Sequence, residues 1–156
     1  MSGEPYSWVR GVLTLNEVPL GKEAIDLGFN LILAYRWDNT DYYNSRFLNF
    51  AQRGGKIISG DPEDYKDENK YNIVAHTLGD EPRQRGWSPQ KVIDRYNWFR
   101  ESTNKPIGAV FTPRAMMVPE WLDVINKLNF AMIDIYPYRE GWNVQEQLDI
   151  AYNEIK

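Results

Sequence analysis

Short runs rich in β-branched and aromatic residues alternate along the chain with stretches whose apolar residues recur at helical spacing. That alternation is the pattern of βαβ units and a parallel sheet. A first strand is expected over Val9 to Leu15, then a helix around Gly21 to Leu27 that ends at Gly28-Phe29-Asn30. Leu31 to Tyr35 reads as the second strand. Phe47, Leu48, Phe50 and Ala51 predict a helix over Asn44 to Arg53, stopped by Gly54-Gly55. Lys56 to Ser59 is the third strand. Residues 60 to 70 are acidic and Pro-punctuated, which reduces the next helix to a loop or a single turn. Asn72 to Leu78 is the fourth strand, followed by a long loop carrying Gly86 and Trp87. Ser88-Pro89 opens a helix through Val92, Ile93, Tyr96 and Phe99 to about Ser102, with Pro at the first helical position. Lys105 to Thr112 is the fifth strand. Pro119 starts a helix through Trp121, Leu122, Val124, Ile125 and Leu128, Ala131 to Tyr136 is the sixth strand, and Val144 to Ile155 is a last helix. Trp98 and Trp121 lie within the apolar helical stripes and are expected in the core.

The fold class expected from this order is α/β, a parallel (β/α) barrel of the TIM type, incomplete with about six strands and forming one domain over residues 1–156. A closed eight-stranded barrel takes ~250 residues, so two strand-helix units are expected to be missing. A fragment of a larger barrel and an open doubly wound sheet are the alternatives. An incomplete barrel leaves two strand edges that attract pairing with another chain, so homo-oligomerisation through those edges is an expectation.

Composition narrows the partners. The net charge is −4, with Lys and Arg scattered rather than clustered, which argues against a surface built to neutralise nucleic-acid phosphates. Cysteine is absent, which excludes disulfides, thiolate metal sites and a cysteine nucleophile. Met1 to Arg10 lacks the basic-then-apolar pattern of a signal peptide, and no apolar run approaches the ~18 residues of a membrane span. No membrane partner and no particular compartment follow. Aromatic residues reach 14%, with six Trp and ten Tyr, a supply of flat apolar faces that suits both cores and sugar rings.

In parallel α/β folds, ligands bind beyond the carboxyl ends of the strands. The residues falling there are polar and aromatic: Arg36 and Trp37 after the second strand, Asp61 after the third, Asp80 and Glu81 after the fourth, and Asp134, Tyr136 and Tyr138 on the sixth. Thr112 and Arg114 follow the fifth. Period-two alternation groups Ala75, Thr77 and Gly79 with Glu81 on one face of the fourth strand, and Val74, His76 and Leu78 on the other. The first set is small enough for a crowded barrel interior, so Glu81 is expected at the barrel mouth and His76 toward the helices. On the sixth strand Ile133 and Ile135 suit the helix side, leaving Asp134 and Tyr136 inward.

Two converging carboxyl groups are what glycoside hydrolysis uses, one protonated to donate to the leaving oxygen and one ionised. Glu81 is the candidate acid, with Asp134 and Asp80 beside it. His76 is the sole histidine and reads as structural, and the acidic run Asp61, Glu63, Asp64, Asp67 and Glu68 lacks the spacing of a calcium loop. No metal site is expected. No strand is followed by a Gly-rich phosphate loop, so no nucleotide cofactor is expected either.

The segments Gly28-Phe29-Asn30, Leu78-Gly79-Asp80-Glu81-Pro82 and Asp134-Ile135-Tyr136-Pro137-Tyr138, in that order, give the stretch from Leu27 to Tyr138 a resemblance to TIM-barrel glycoside hydrolases. The likeness is to families with a GDEP fourth strand and a D-x-YP sixth strand. The resemblance implies that Glu81 is the fourth-strand acid/base, that Asp80 orients it or the substrate, and that Asp134 and Tyr136 contact substrate. Many such hydrolases carry their nucleophile at the end of a seventh strand, which is not among the six expected here. Two functions are therefore open at the level of sequence: a glycoside hydrolase-like enzyme, or a non-catalytic carbohydrate-binding or structural module with a degenerate barrel.

Overall fold

The computed structural model describes residues 11–14, 25–26, 28–34, 41–60 and 67–134, of which 11–14 and 41–43 by backbone alone. The chain divides within its fourth strand into two compact units, Met1–Val74 and Ala75–Lys156.

In the first unit, β1 (Gly11–Thr14), β2 (Leu31–Ala34) and β3 (Lys56–Ser59) pair in parallel and in chain order. Helix α1 (Asp41–Gln52) returns the chain from β2 to β3 and starts three residues before the expected Asn44. Its Phe47 and Phe50 are fully buried with Ile32, Ala34, Ile57, Tyr71 and Ile73. Gly54 ends the helix at φ +86, a left-handed conformation that glycine adopts without a Cβ penalty. Beside it, a Cβ on Gly55 would collide with the Phe50 ring, so the turn is packed directly onto the aromatic layer.

In the second unit, β4 (Ile73–Asp80), β5 (Ile107–Phe111) and β6 (Phe130–Ile133) again pair in parallel and in chain order. Helix α2 (Pro89–Arg100) joins β4 to β5; a short α3 (Pro113–Met116) and α4 (Pro119–Lys127) join β5 to β6. Ser88 caps α2, its hydroxyl accepting from the Lys91 amide at 3.1 Å, and Pro89 occupies the position where a missing N–H costs nothing. The core of this unit lies between the helices and one face of the strands: Leu78, Ile107, Ala109 and Phe111 against Val92, Phe99, Ala115, Trp121, Val124 and Leu128. His76 is fully buried on this same face, edge-on to Phe99 with ring centroids 4.8 Å apart, as the alternation implied. Trp121 is buried beside Phe111, as expected. Trp98 is 53% exposed, correcting the expectation that it fills the core: Phe99, one position on, takes the buried face of α2 and turns Trp98 outward.

Within the described residues the expected strands and helices recur in the expected order, with ends shifted by up to three residues. Helix α3 had no predicted counterpart, β4 runs two residues further than Leu78, and β6 ends at Ile133, so Asp134 lies just past the sixth strand rather than on it. The helix expected over Gly21 to Leu27 is described only at residues 25–26. The last predicted helix, Val144 to Ile155, lies outside the described residues.

Candidate functional site

The carboxyl end of β4 is irregular, and the irregularity positions the candidate acids. Between Thr77, paired with Gly108, and Asp80, paired with Val110, β4 advances three residues while β5 advances two. One residue more on one strand than on its partner is a β-bulge. Gly79 sits in it at φ +148, a backbone region that disfavours any residue with a Cβ. The Thr77 hydroxyl bridges the kink, donating to the Gly79 carbonyl at 3.2 Å and accepting from its amide at 3.4 Å.

The bulge changes which carboxylate follows the inner face. Paired residues on parallel strands point the same way, so Asp80, in register with Val110, shares the face of Thr77 and Gly108. Simple alternation had placed Glu81 there with Ala75, Thr77 and Gly79; the extra residue breaks that parity, and this part of the reading is corrected. The direction of Glu81 is set instead by its own backbone, which is left-handed at φ 45. Its amide donates to the Val110 carbonyl at 3.0 Å, and its Oε1 is buried. Pro82 follows it and disfavours the right-handed helical conformation at position 81.

Among the described residues, one other non-glycine has a left-handed backbone, Asn72 at φ 49. There the residue type explains it, because Asn tolerates this region and its side-chain amide donates to the Gly55 carbonyl at 2.7 Å. Glu81 has no such intrinsic tolerance.

Asp134 lies just past β6, and its amide donates to the Phe111 carbonyl at 2.9 Å. Glu81 and Asp134 are thus hung on consecutive residues of β5, Val110 and Phe111, from the two neighbouring strands. Two strand separations put their backbones about 10 Å apart at one end of the sheet. The register pairs Phe130 with Gly108 and Met132 with Val110, so continued alternation assigns Asp134 to the face that Asp80 shares. Gly108 is without a side chain because Phe130 fills the space above it.

A tight turn follows Glu81. Arg85 donates its amide to the Glu81 carbonyl at 3.1 Å, Gly86 to Arg83 at 3.0 Å and Trp87 to Pro82 at 2.9 Å, with Gly86 left-handed at φ +72. Arg85 reaches back to Asp80, with 3.7 Å between Nη2 and Oδ2. Both partners are substantially exposed, so the pair orients more than it stabilises. Arg83 donates to the Arg114 carbonyl at 3.2 Å, and Gln84 donates to the buried Thr112 hydroxyl. The loops after β4 and β5 are thereby tied together at the rim. Trp87 lies over Gly79, with Lys91 Nζ 4.3 Å and the Arg95 guanidinium 5.1 Å from its ring centroid.

Of the residues singled out by sequence, Asp80, Glu81 and Asp134 come to one rim. Arg36, Trp37, Asp61, Tyr136 and Tyr138 lie outside the described residues. The contributions of Gln84, Arg85 and Trp87 were not anticipated; the adjacent Gly86-Trp87 pair in the loop was their one visible signal. Among the described residues, no group of three or more His, Asp or Glu is placed to hold a metal ion, and no helix is long and apolar enough to cross a membrane.

No family model and no curated protein matches the chain. Among solved structures it is similar to a glycoside hydrolase family 17 β-1,3-glucanosyltransferase from Rhizomucor miehei, with a TM-score of 0.63 and 16% identity over 94% of this chain. An active-site mutant of the Rhizomucor miehei β-1,3-glucanosyltransferase in complex with laminaritriose is similar to the same degree, TM-score 0.63 and 15% identity, again over 94% of this chain. The chain spans 64% of the length of each of these structures. The likeness establishes the fold as parallel α/β, an incomplete barrel.

Proposed function

We propose that this protein is carbohydrate-active and glycoside hydrolase-like, with its site at the rim where β4, β5 and β6 end. Glu81 is the general acid/base, Asp134 the second carboxylate and Asp80 the residue that orients Glu81 or the sugar. The observation that supports the reading is the left-handed backbone of Glu81 just after a glycine bulge, with the Glu81 and Asp134 amides bonded to the consecutive β5 carbonyls of Val110 and Phe111. Backbone strain of about 1–3 kcal/mol at a non-glycine residue persists where surrounding structure enforces it, and it concentrates at functional sites.

The chemistry asks one carboxyl group to protonate the glycosidic oxygen as the bond breaks and the other to stabilise the cationic sugar or activate the attacking hydroxyl. Backbones about two strand spacings apart suit side chains that lean toward a sugar lying over β5. The motifs Leu78-Gly79-Asp80-Glu81-Pro82 and Asp134-Ile135-Tyr136-Pro137-Tyr138 support the same assignment, with Tyr136 and Tyr138 proposed as sugar contacts on sequence grounds. Laminaritriose, bound by a fold neighbour, makes β-1,3-linked glucose oligomers the first substrates to assay. Transfer to water gives shorter sugars; transfer to a sugar hydroxyl gives longer ones.

The test is product analysis on laminari-oligosaccharides with the wild type and Glu81→Gln. Turnover in the wild type that falls by roughly 100-fold or more in the variant is expected, the scale of a lost general acid/base. Turnover indifferent to the substitution defeats the assignment of Glu81. The second reading is a non-catalytic carbohydrate-binding module. It requires sugar binding with no products from the wild type.

A further inference from the structure

We infer that Trp87 is a positioning residue for Glu81, acting through the bulge at Gly79. The inference rests on Glu81 being the acid/base, but its structural content is separate and is tested separately. A bulge removes ladder hydrogen bonds and exposes the backbone at the point where it bends. Here the indole covers that point: a Cβ built on Gly79 would lie 3.7 Å from Trp87 Cη2, ordinary van der Waals contact. The ring therefore rests where a side chain at position 79 would otherwise project.

Four further interactions fix the ring. Its own amide is bonded to the Pro82 carbonyl at 2.9 Å, which closes the turn that begins at Glu81. The indole packs on the core cluster of Leu78 and Val92. Lys91 and Arg95, four residues apart on α2 and so on one helix face, place their cations 4.3 and 5.1 Å from the ring centroid. A flat side chain held by the helix that follows and laid against the strand that precedes keeps the bulge in one geometry. The Glu81 amide bond to Val110 and the left-handed φ are the outputs of that geometry.

The experiment is amide hydrogen exchange by NMR on the full chain, comparing wild type, Trp87→Ala and Trp87→Phe. Trp87→Ala is expected to speed exchange at Glu81 by about tenfold or more, while amides in the middle of β5 keep their wild-type rates. Trp87→Phe, which retains a flat ring, restores protection at Glu81. Exchange at Glu81 that is unchanged in Trp87→Ala, or that rises only by the factor seen throughout β5, overturns the inference. If laminari-oligosaccharides are turned over, kcat falls in Trp87→Ala with KM little changed, since displacing a reacting group by about 1 Å costs up to ~100-fold. If Glu81→Gln leaves turnover intact while the exchange pattern appears as stated, Trp87 still positions residue 81 and the acid/base reading alone has failed.

Discussion

At the scale of the residue, Glu81 is the position where backbone and chemistry conflict. Its φ of 45 is one that an L-residue adopts at a cost of roughly 1–2 kcal/mol and glycine does not. Glu81→Gly is accordingly expected to be about 1 kcal/mol more stable than Glu81→Ala in urea denaturation, after glycine's greater unfolded-state entropy is subtracted. Equal stabilities, or a less stable glycine variant, would mean that position 81 carries no strain. Gly108 gives the opposite sign. A Cβ there would sit 2.5 Å from the Phe130 carbonyl oxygen, a backbone atom that cannot rotate away. Gly108→Ala should therefore cost about 1–3 kcal/mol, read as a lowered denaturation midpoint. A neutral outcome would show that β6 slides to make room.

At the scale of the element, the helices and the strands were legible to different degrees. Ser88-Pro89 announced the start of α2 because proline at the first helical position is local chemistry, and the helix starts at Pro89 as read. Ser88→Ala should lower stability by about 1 kcal/mol, through loss of the bond to the Lys91 amide, with thermal unfolding as the measure. An unchanged midpoint would show that the cap contributes nothing. The face of His76 and Leu78 was also readable, since alternation holds through the regular part of β4. It failed at Gly79, because a bulge is decided by pairing with β5 and by Trp87, neither of which leaves a period in the sequence. Trp98 was misread for a related reason. Two adjacent aromatics on a helix cannot both face the core, and Phe99 won the place through contact with His76, a partner from another element. The adjacent Asp80 and Glu81 stand out in the sequence by their place at the end of a strand; which of them follows the inner face does not, because that depends on the same bulge.

At the scale of the whole molecule, the parallel order of strands makes a prediction that separates binding from catalysis. Carboxyl ends of parallel strands gather side chains from several elements at one rim, and a ligand bound there is linked to the stability of all of them. A sugar that binds the native state alone, at 100 times its Kd, adds about 2.7 kcal/mol to stability. For a chain of this length that raises Tm by roughly 5–10 °C. Saturating laminaritriose is expected to give such a shift in the wild type and also in Glu81→Gln, since removing the acid's proton-transfer capacity leaves the carboxamide in place to contact the sugar. A shift in both proteins, with products from the wild type alone, assigns Glu81 to catalysis. A shift in both with no products from either makes the protein a binding module on a hydrolase fold. Absence of any shift in either protein, across laminari-oligosaccharides of increasing length, would remove β-1,3-glucans as the ligand and leave the rim of Asp80, Glu81 and Asp134 to a different sugar.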